Sequence, residues 1–286
     1  MNQIQWYPGH IAKAERQLKE QLKRVDVVLE VRDARIPLAT HHPQLAQWMG
    51  DKSRVLVLNR LDCISPTVRD GWQTWFQSQG DRPYFTNAQH GTGVEAVSKA
   101  AQQAGEAVNL RRRDRGMLPR AVRAVVIGFP NVGKSALINR LLKRRVVESA
   151  RRPGVTRQLR WVRISDRLEL LDAPGILPWK LENQAGALKL AICDDIGEAA
   201  YDLEQVAKSF VELVRELGDR YPDLMPDNPL QTRYGIDPEA MSAEDYLYQL
   251  AQHRASGDIG RTAKLILTDF RKGLLGSLPL ELPPQS

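Results

Sequence analysis

The eight residues GFPNVGKS, at positions 128–135, constrain the fold of this chain more than any other segment. They match the pattern G-x-x-x-x-G-K-[S/T], in which glycines let backbone N–H groups turn inward around phosphate oxygens. A strand-like apolar run precedes the loop and the helix-like segment KSALINRLLKRR follows it. This context favours a phosphate-binding loop over a chance glycine turn. It predicts that Lys134 contacts the β- and γ-phosphates of a nucleoside triphosphate and that the Ser135 hydroxyl binds Mg²⁺.

The segment VLVLNRLD, at positions 55–62, predicts which base the nucleotide carries. It reads as a buried strand that ends at Asn59, and Asn59 and Asp62 match the N-K-x-D guanine reader of GTPases. A carboxylate accepts from the N1–H and N2–H₂ groups of guanine, whereas adenine lacks that pair of donors and would leave Asp62 unpaired in a buried site. Arg60 stands where the pattern has lysine, and its planar group can lie flat on a base.

Three further motifs complete a nucleotide site. The segment DAPG fits D-x-x-G, so Asp172 would hold Mg²⁺ and the Gly175 N–H would meet the γ-phosphate, although an ordinary strand-end turn is the alternative. The segment PGVT offers Thr156 as a second Mg²⁺ ligand, from a loop that orders around a γ-phosphate. The segment TNAQHGTG resembles the loop that supports guanine, with Asn87 at the serine position and Ala88 beside it.

The order of these motifs is unusual, because the guanine reader and the base loop precede the phosphate loop. The order predicts a circularly permuted GTPase whose new joint is a basic linker at 111–119. Alternating strands and helices predict a mostly parallel, doubly wound α/β sheet. After residue 177 the pattern is helical, without a strand-like run. We therefore expect a GTPase domain at 1–177 and an all-α domain at 178–286.

Composition limits the class of protein. The 286 residues are 42% hydrophobic, enough for a packed core, and the net charge of +7 favours an anionic partner such as nucleic acid, unless it serves solubility alone. The two cysteines, Cys63 and Cys193, form no zinc spacing and fit a reducing compartment. No apolar run reaches membrane-spanning length. We expect a cytoplasmic protein with no membrane partner.

In its motifs and in their order, the sequence resembles the ribosome biogenesis GTPase A family, a bacterial group of circularly permuted GTPases. The matching segments are WYPGH at 6–10, DARIP at 33–37, GFPNVGKS, PGVT and DAPGIL, and the likeness is looser in the helical part. The resemblance implies a GTPase that assists assembly of the large (50S) ribosomal subunit, with GTP, GDP and rRNA as partners, and we expect a monomer. The expected nucleotide contacts are Asn59, Arg60, Asp62, Asn87, Ala88, Asn131, Val132, Gly133, Lys134, Ser135, Ala136, Thr156 and Gly175.

The hydrolysis machinery departs from that of signalling GTPases. Ile176 stands where a water-orienting glutamine is usual, and an isoleucine cannot orient water. The resemblance points to His10 as the group that reaches the attacking water, the alternative being an exposed turn residue. It also points to Asn131 as a K⁺ ligand, whereas a hydrogen bond within the loop is the simpler role.

Two rival functions stay open at this stage. Ile176 is consistent with a non-hydrolysing RNA-binding scaffold that holds GTP as a structural ligand. The phosphate loop alone is also consistent with an ATPase or a kinase. The N-x-x-D segment argues against the second. Basic clusters are either a solvated face or contacts to rRNA phosphates; they comprise Lys143, Arg144, Arg145, Arg151 and Arg152 beside the switch loop, and Arg111, Arg112, Arg113 and Arg115 in the linker.

Overall fold

The structure is a computed structural model that describes residues 11–142, 160–173, 183–225 and 227–284. Its centre is a six-stranded sheet with the strand order β3-β2-β1-β4-β6-β5. All neighbouring strands are parallel except β5 and β6, which form an antiparallel hairpin. The strands are β1 (Val27–Asp33), β2 (Ser53–Asn59), β3 (Pro83–Thr86), β4 (Val122–Ile127), β5 (Arg160–Ser165) and β6 (Leu168–Asp172). The predicted mostly parallel sheet is therefore confirmed.

Helices cover both faces of the sheet. The helices around the sheet are α1 (Ile11–Leu22), α2 (Leu45–Met49), α3 (Pro66–Ser78), α4 (Val94–Asp114) and α5 (Lys134–Leu141). Val28 and Ile127 pack in one apolar cluster with Leu18 of α1, whereas Val27 and Val126 pack in another with Val97 of α4. This alternation follows from the two-residue period of a strand, which sends successive side chains to opposite faces. The sheet is thus doubly wound.

The chain after residue 183 is helical in the part that the structure describes. Its helices are α6 (Gln184–Cys193), α7 (Leu203–Arg220), α8 (Pro229–Tyr234), α9 (Ala243–Arg254) and α10 (Ile259–Arg271). Helices α7 and α10 meet through Phe210 and Phe270, whose ring centroids are 5.0 Å apart. The buried side chains of these helices continue into the core on the α4 face of the sheet. Among the described residues, no helix combines the length and apolar character that a membrane crossing needs.

The predicted linker is shorter than the sequence suggested. Helix α4 continues to Asp114, because arginine is a good helix former and is stabilised near a helix C-terminus. The connection to β4 is held by Asn109, whose side chain donates to the Arg120 carbonyl at 3.0 Å and accepts from the Arg120 N–H at 3.1 Å. The prediction of a linker over 111–119 was therefore wrong for its first four residues.

The C-terminal tail packs against the segment that follows β1. The N–H groups of Leu280 and Glu281 both donate to the Arg35 carbonyl at 3.0 Å. The buried Glu281 carboxylate accepts from the N–H groups of Leu38 at 2.7 Å and Ala39 at 3.3 Å. The tail therefore supplies hydrogen-bond partners to the DARIP segment.

A buried ionic network links strands β1 and β2 on the α3 face of the sheet. Glu30 accepts from Arg32 Nε at 2.7 Å and from an Arg54 guanidinium nitrogen at 3.1 Å, and His41 Nδ1 lies 2.8 Å from its carboxylate. Burial alone would raise the pKa of Glu30, but hydrogen bonds and charges from His41 and Arg32 outweigh it and lower the pKa from 4.5 to about 2. The folded state therefore favours the charged carboxylate.

We expect Glu30→Gln to lower the free energy of unfolding at neutral pH by roughly 3 kcal/mol, the amount that corresponds to the lowered pKa. Because the folded-state pKa lies below the unfolded value, the stabilisation is present above about pH 4.5 and is lost as the pH falls toward about 2. Urea unfolding at several pH values measures both effects. Glu20→Gln removes a pair that is exposed at both ends and is the control, with an expected change under about 0.5 kcal/mol. Equal losses in the two variants would contradict the assignment.

Candidate nucleotide-binding site

The predicted nucleotide loops meet at the carboxyl edge of the parallel strands. Strand β4 leads into the phosphate loop at 128–133, and α5 begins directly after it at Lys134. Strand β2 ends at Asn59 and β6 ends at Asp172 along the same edge. Ligands of open α/β sheets bind at this edge, near the N-termini of the helices that follow. The fold thus gathers segments that are far apart in the chain.

Two glycines of the phosphate loop have no room for a side chain. A Cβ on Gly128 would lie 2.2 Å from the Val31 carbonyl oxygen. A Cβ on Gly133 would lie 2.1 Å from Asn59 Nδ2, and Gly133 has a φ of +100°, which disfavours other residues. The loop therefore approaches both neighbouring strands through bare backbone.

Lys134 is folded inward over the loop. Its Nζ donates to the Gly128 carbonyl at 3.1 Å and to the Phe129 carbonyl at 2.6 Å. Burial lowers the pKa of Lys134 to about 8, against the opposing charges of Asp172 and Asp195. An anionic phosphate at this loop would favour the charged ammonium and so draw the side chain toward it.

Asp172 fits the role of a magnesium ligand. Burial raises its pKa to about 6, against the opposing charge of Lys134. Its Oδ1 atom is buried and lacks a hydrogen-bond partner within the described residues. A buried oxygen without a partner, beside a half-buried Ser135 at the start of α5, is the oxygen chemistry that Mg²⁺ prefers.

The side chain of Asn59 connects three of the predicted motifs. Its Nδ2 donates to the Val132 carbonyl of the phosphate loop at 2.8 Å. Its Oδ1 accepts from the Ala88 N–H and from the Thr86 hydroxyl, both at 3.0 Å. The structure thus brings together Asn59, Ala88 and Val132, three residues that the motif matches assign to one nucleotide site.

Arg60 points toward the phosphate loop. Its guanidinium donates to the Asn131 carbonyl at 2.9 Å, and its Nε lies 3.0 Å from the Asp33 carboxylate. Asp33 is fully buried and also accepts from the Arg35 guanidinium at 2.6 Å. Burial would raise the pKa of Asp33, but the charges of Arg35 and Arg60 hold it below its usual value. Sequence reasoning assigned no role to Asp33 or Arg35, although both belong to the DARIP segment that carries the family resemblance.

Asp62 and Asn87 differ in exposure. Asp62 lies in a short 3₁₀ turn beyond the end of β2 and is exposed, so its burial against a bound base stays a prediction. Asn87 is buried, and its Oδ1 accepts from the N–H groups of Gln89 at 3.0 Å and His90 at 3.1 Å. Asn87 therefore shapes the base loop, whereas Asp62 is open to a ligand.

The helical region contributes two groups to this edge that sequence reasoning missed. The Asn131 side-chain amide donates a short hydrogen bond to the Asp194 carbonyl at the end of α6. The neighbouring Asp195 is fully buried, and neither carboxylate oxygen has a hydrogen-bond partner within the described ranges. Burial, together with the charge of Asp33, raises the pKa of Asp195 well above its usual value. Only a pair of aspartates after an apolar helix marked this place in the sequence.

Some predicted residues cannot be placed. His10, Thr156 and Gly175 lie outside the described residues, as do Ile176 and the basic residues beside the switch loop. Ala136 is described and is half-buried on α5. The predicted roles of these residues stay predictions.

Known proteins resemble the chain along almost its full length. The "Ribosome biogenesis GTPase A" of Bacillus pumilus (strain SAFR-032) is 35% identical, with 98% of this chain and 99% of that protein aligned. The chain belongs to the ribosome biogenesis GTPase A family. The family model described as "50S ribosome-binding GTPase" matches residues 123–217. Membership and this match support GTP binding and hydrolysis, and GTPases of this kind generally use Mg²⁺.

A more distant family member and a solved structure also align with nearly the whole chain. The family member from Thermotoga maritima is 27% identical, with 98% of this chain and 95% of that protein aligned. The crystal structure of GNP-bound YlqF from T. maritima has a TM-score of 0.64 at 23% identity, covering 96% of this chain and all of that one. The structural likeness supports the permuted fold.

We expect Arg60→Lys to weaken GDP binding by about 5- to 30-fold, although lysine is the usual residue in N-K-x-D. A lysine has one ammonium and cannot contact Asp33 and the Asn131 carbonyl with two separate nitrogens, so one charge-assisted hydrogen bond is lost. Titration with a fluorescent GDP measures the affinity. Arg69→Lys, at an exposed pair on α3, is the matched control. Equal affinities for both variants would remove Arg60 from the positioning of the loop.

Proposed function

We propose that this protein binds and hydrolyses GTP as an assembly factor for the large (50S) ribosomal subunit. It would bind rRNA of the assembling subunit in its GTP form and leave after hydrolysis. The observation that carries the nucleotide assignment is the Asn59 side chain, which holds the guanine reader, the base loop and the phosphate loop in one arrangement. Family membership supports the ribosomal role.

Each part of the nucleotide has a proposed contact. The exposed Asp62 carboxylate accepts from guanine, and the base lies beside Asn87, Ala88 and Arg60. Phosphates meet the backbone of the phosphate loop, in particular at Val132, Gly133 and Ala136, and the Lys134 ammonium. Ser135, Thr156 and Asp172 hold Mg²⁺, which neutralises charge on the phosphates. Gly175 contributes a backbone N–H to the γ-phosphate.

The chain's own groups have defined tasks in hydrolysis. Lys134 leaves the Gly128 and Phe129 carbonyls and stabilises the negative charge that develops on the phosphates. His10 orients the attacking water, because Ile176 cannot. The Asn131 amide nitrogen is occupied by the Asp194 carbonyl, which leaves its oxygen to hold K⁺ near the phosphates. Such an ion adds positive charge at the site.

The proposed partners follow from charge and family. The protein acts as a cytoplasmic monomer, with the large subunit and its rRNA as partners and no membrane partner. The domain at 178–286 binds rRNA; exposed basic residues such as Arg261 and Lys264 lie three apart on α10 and suit phosphate contacts. Because Gly175 precedes this domain directly, a γ-phosphate contact there would influence its position.

For the base, we expect Asp62→Asn to weaken GTP binding by roughly 1–3 kcal/mol and to improve binding of xanthosine triphosphate. An amide donates to the C2 carbonyl of xanthine, whereas it repels the N2–H₂ group of guanine. Competition titrations with GTP, ATP and xanthosine triphosphate measure this preference. Asp51→Asn is the control, since Asp51 is an exposed carboxylate outside the site. Unchanged GTP affinity in Asp62→Asn would contradict the assignment of Asp62 as the residue that binds guanine.

For catalysis, we expect purified large subunits to stimulate GTP hydrolysis, and His10→Ala to lower the stimulated rate by about 10²–10⁴ while GTP affinity stays the same. Phosphate release with and without subunits measures the rate, and His253→Ala on the exposed face of α9 is the control. A His10→Ala rate equal to that of the control would remove His10 from the mechanism. Absence of hydrolysis in the parent protein would favour the scaffold function.

The same assay with Na⁺ in place of K⁺ tests Asn131 as a K⁺ ligand. Equal rates with the two ions would argue that Asn131 only forms a hydrogen bond within the protein.

A further inference from the structure

One face of the sheet carries an exposed tryptophan between arginines. Strand β5 is an edge strand, and its residues Trp161 and Arg163 face the same side of the sheet as Arg123 of β4. The register places Glu169 of β6 between Arg123 and Arg163. We call Arg123, Trp161 and Arg163 the Trp161 surface.

The indole of Trp161 is held by an arginine and remains accessible. The Arg123 guanidinium carbon lies 5.7 Å from the centroid of the Trp161 ring, within the range of a cation–π contact. Trp161 nevertheless keeps 38% of its surface exposed. In the described part of the chain, the other large exposed aromatic residue is Tyr248 on α9. An ordered, exposed tryptophan next to positive charge is suited to a planar, anionic partner.

The charges of this surface are available to such a partner. Arg123 lies 3.5 Å from Glu169, and Arg163 lies 2.9 Å from Asp166. The Arg163–Asp166 pair is largely exposed and the Arg123–Glu169 pair is partly exposed, and pairs of this kind contribute little stability, so phosphates can replace these carboxylates at small cost. Arg167 is exposed in the turn that follows β5 and adds to the positive charge.

The Trp161 surface is separate from the nucleotide contacts. Trp161 is paired with Leu171, whose side chain packs with Leu18 of α1 and Val125 of β4. Asp172, the next residue on β6, faces the other side of the sheet. Changes to the indole therefore leave the proposed contact at Asp172 in place.

We propose that the Trp161 surface binds single-stranded RNA, with one unpaired base stacked on the indole and neighbouring phosphates on Arg123 and Arg163. The inference rests on the proposed function for its RNA partner, and it adds an RNA site on the sheet, apart from the helical region. Stacking on an aromatic side chain tolerates any base but needs one that is free of a double helix. The site therefore selects single strands without reading their sequence.

Fluorescence anisotropy with a labelled single-stranded RNA of mixed sequence tests the site in the full-length protein. We expect Trp161→Ala to weaken binding by roughly 5- to 100-fold, the range for loss of one stacked base. Trp161→Phe should retain most of the affinity, since it keeps a ring. Gln77→Ala, at an exposed residue of α3 outside both proposed RNA surfaces, should bind like the parent protein. A fully paired RNA of the same sequence should bind weakly and be insensitive to Trp161→Ala.

A double variant, Arg123→Gln with Arg163→Gln, tests the phosphate contacts with the indole in place. Each lost contact to a single strand should reduce the slope of log affinity against log salt by about 0.7, so we expect a reduction of about 1.4. An unchanged slope would overturn the arginine contacts, and this measurement still decides if Trp161→Ala fails to fold. GDP affinity and thermal unfolding of each variant check the fold.

Two further outcomes would overturn the inference. Equal RNA affinities for Trp161→Ala and the parent protein would exclude stacking on Trp161. Loss of large-subunit binding in Trp161→Ala with unchanged RNA affinity would assign the surface to a protein partner instead. Subunit binding by the parent protein is measured in parallel with a non-hydrolysable GTP analogue and with GDP. Failure of the parent to bind subunits would contradict the proposed function, whatever the RNA titrations give.

Discussion

The nucleotide site depends on the amide of Asn59 more than on any other single group. One buried side chain satisfies a carbonyl of the phosphate loop and an N–H of the base loop, so the ends of β2, β3 and β4 are held together. This interaction requires only that β3 lies beside β2 and that β2 and β4 lie on either side of β1. It does not depend on the order of these strands in the chain. Circular permutation therefore moves the connections but leaves the site intact.

A buried ionic cluster at the ends of β1 and β2 supports the same edge of the sheet. Asp33 contacts Arg35 and Arg60, and Arg60 continues to the Asn131 carbonyl. Removing one member of a buried cluster leaves an uncompensated charge, which typically costs about 3–5 kcal/mol. The Arg35 carbonyl also accepts from the tail at Leu280. The segment after β1 is thus fixed on one side by the nucleotide loops and on the other by the C-terminus.

The sequence predicted what local pattern determines. Strand β4 and the loop before Lys134 follow from an apolar run and from glycine spacing. The exposure of Asp62 and the partners of Arg60 were not predictable, because they depend on where a turn lies in three dimensions. The contact between Asn131 and Asp194 joins positions that no local pattern relates. Helix α8 has only six residues, too few for a clear period to mark it in the sequence.

The helical region and the phosphate loop are linked through contacts within the described residues. Asn131 has a φ of +57°, a conformation that its side chain helps to hold by donating to the Asp194 carbonyl. A ligand that turns this amide away would break that bond, at a cost of about 1 kcal/mol. Helix α6 in turn shares a core with α7 and α10. The bond between Asn131 and Asp194 therefore joins the phosphate loop to the packed helices, independently of the segment around Gly175.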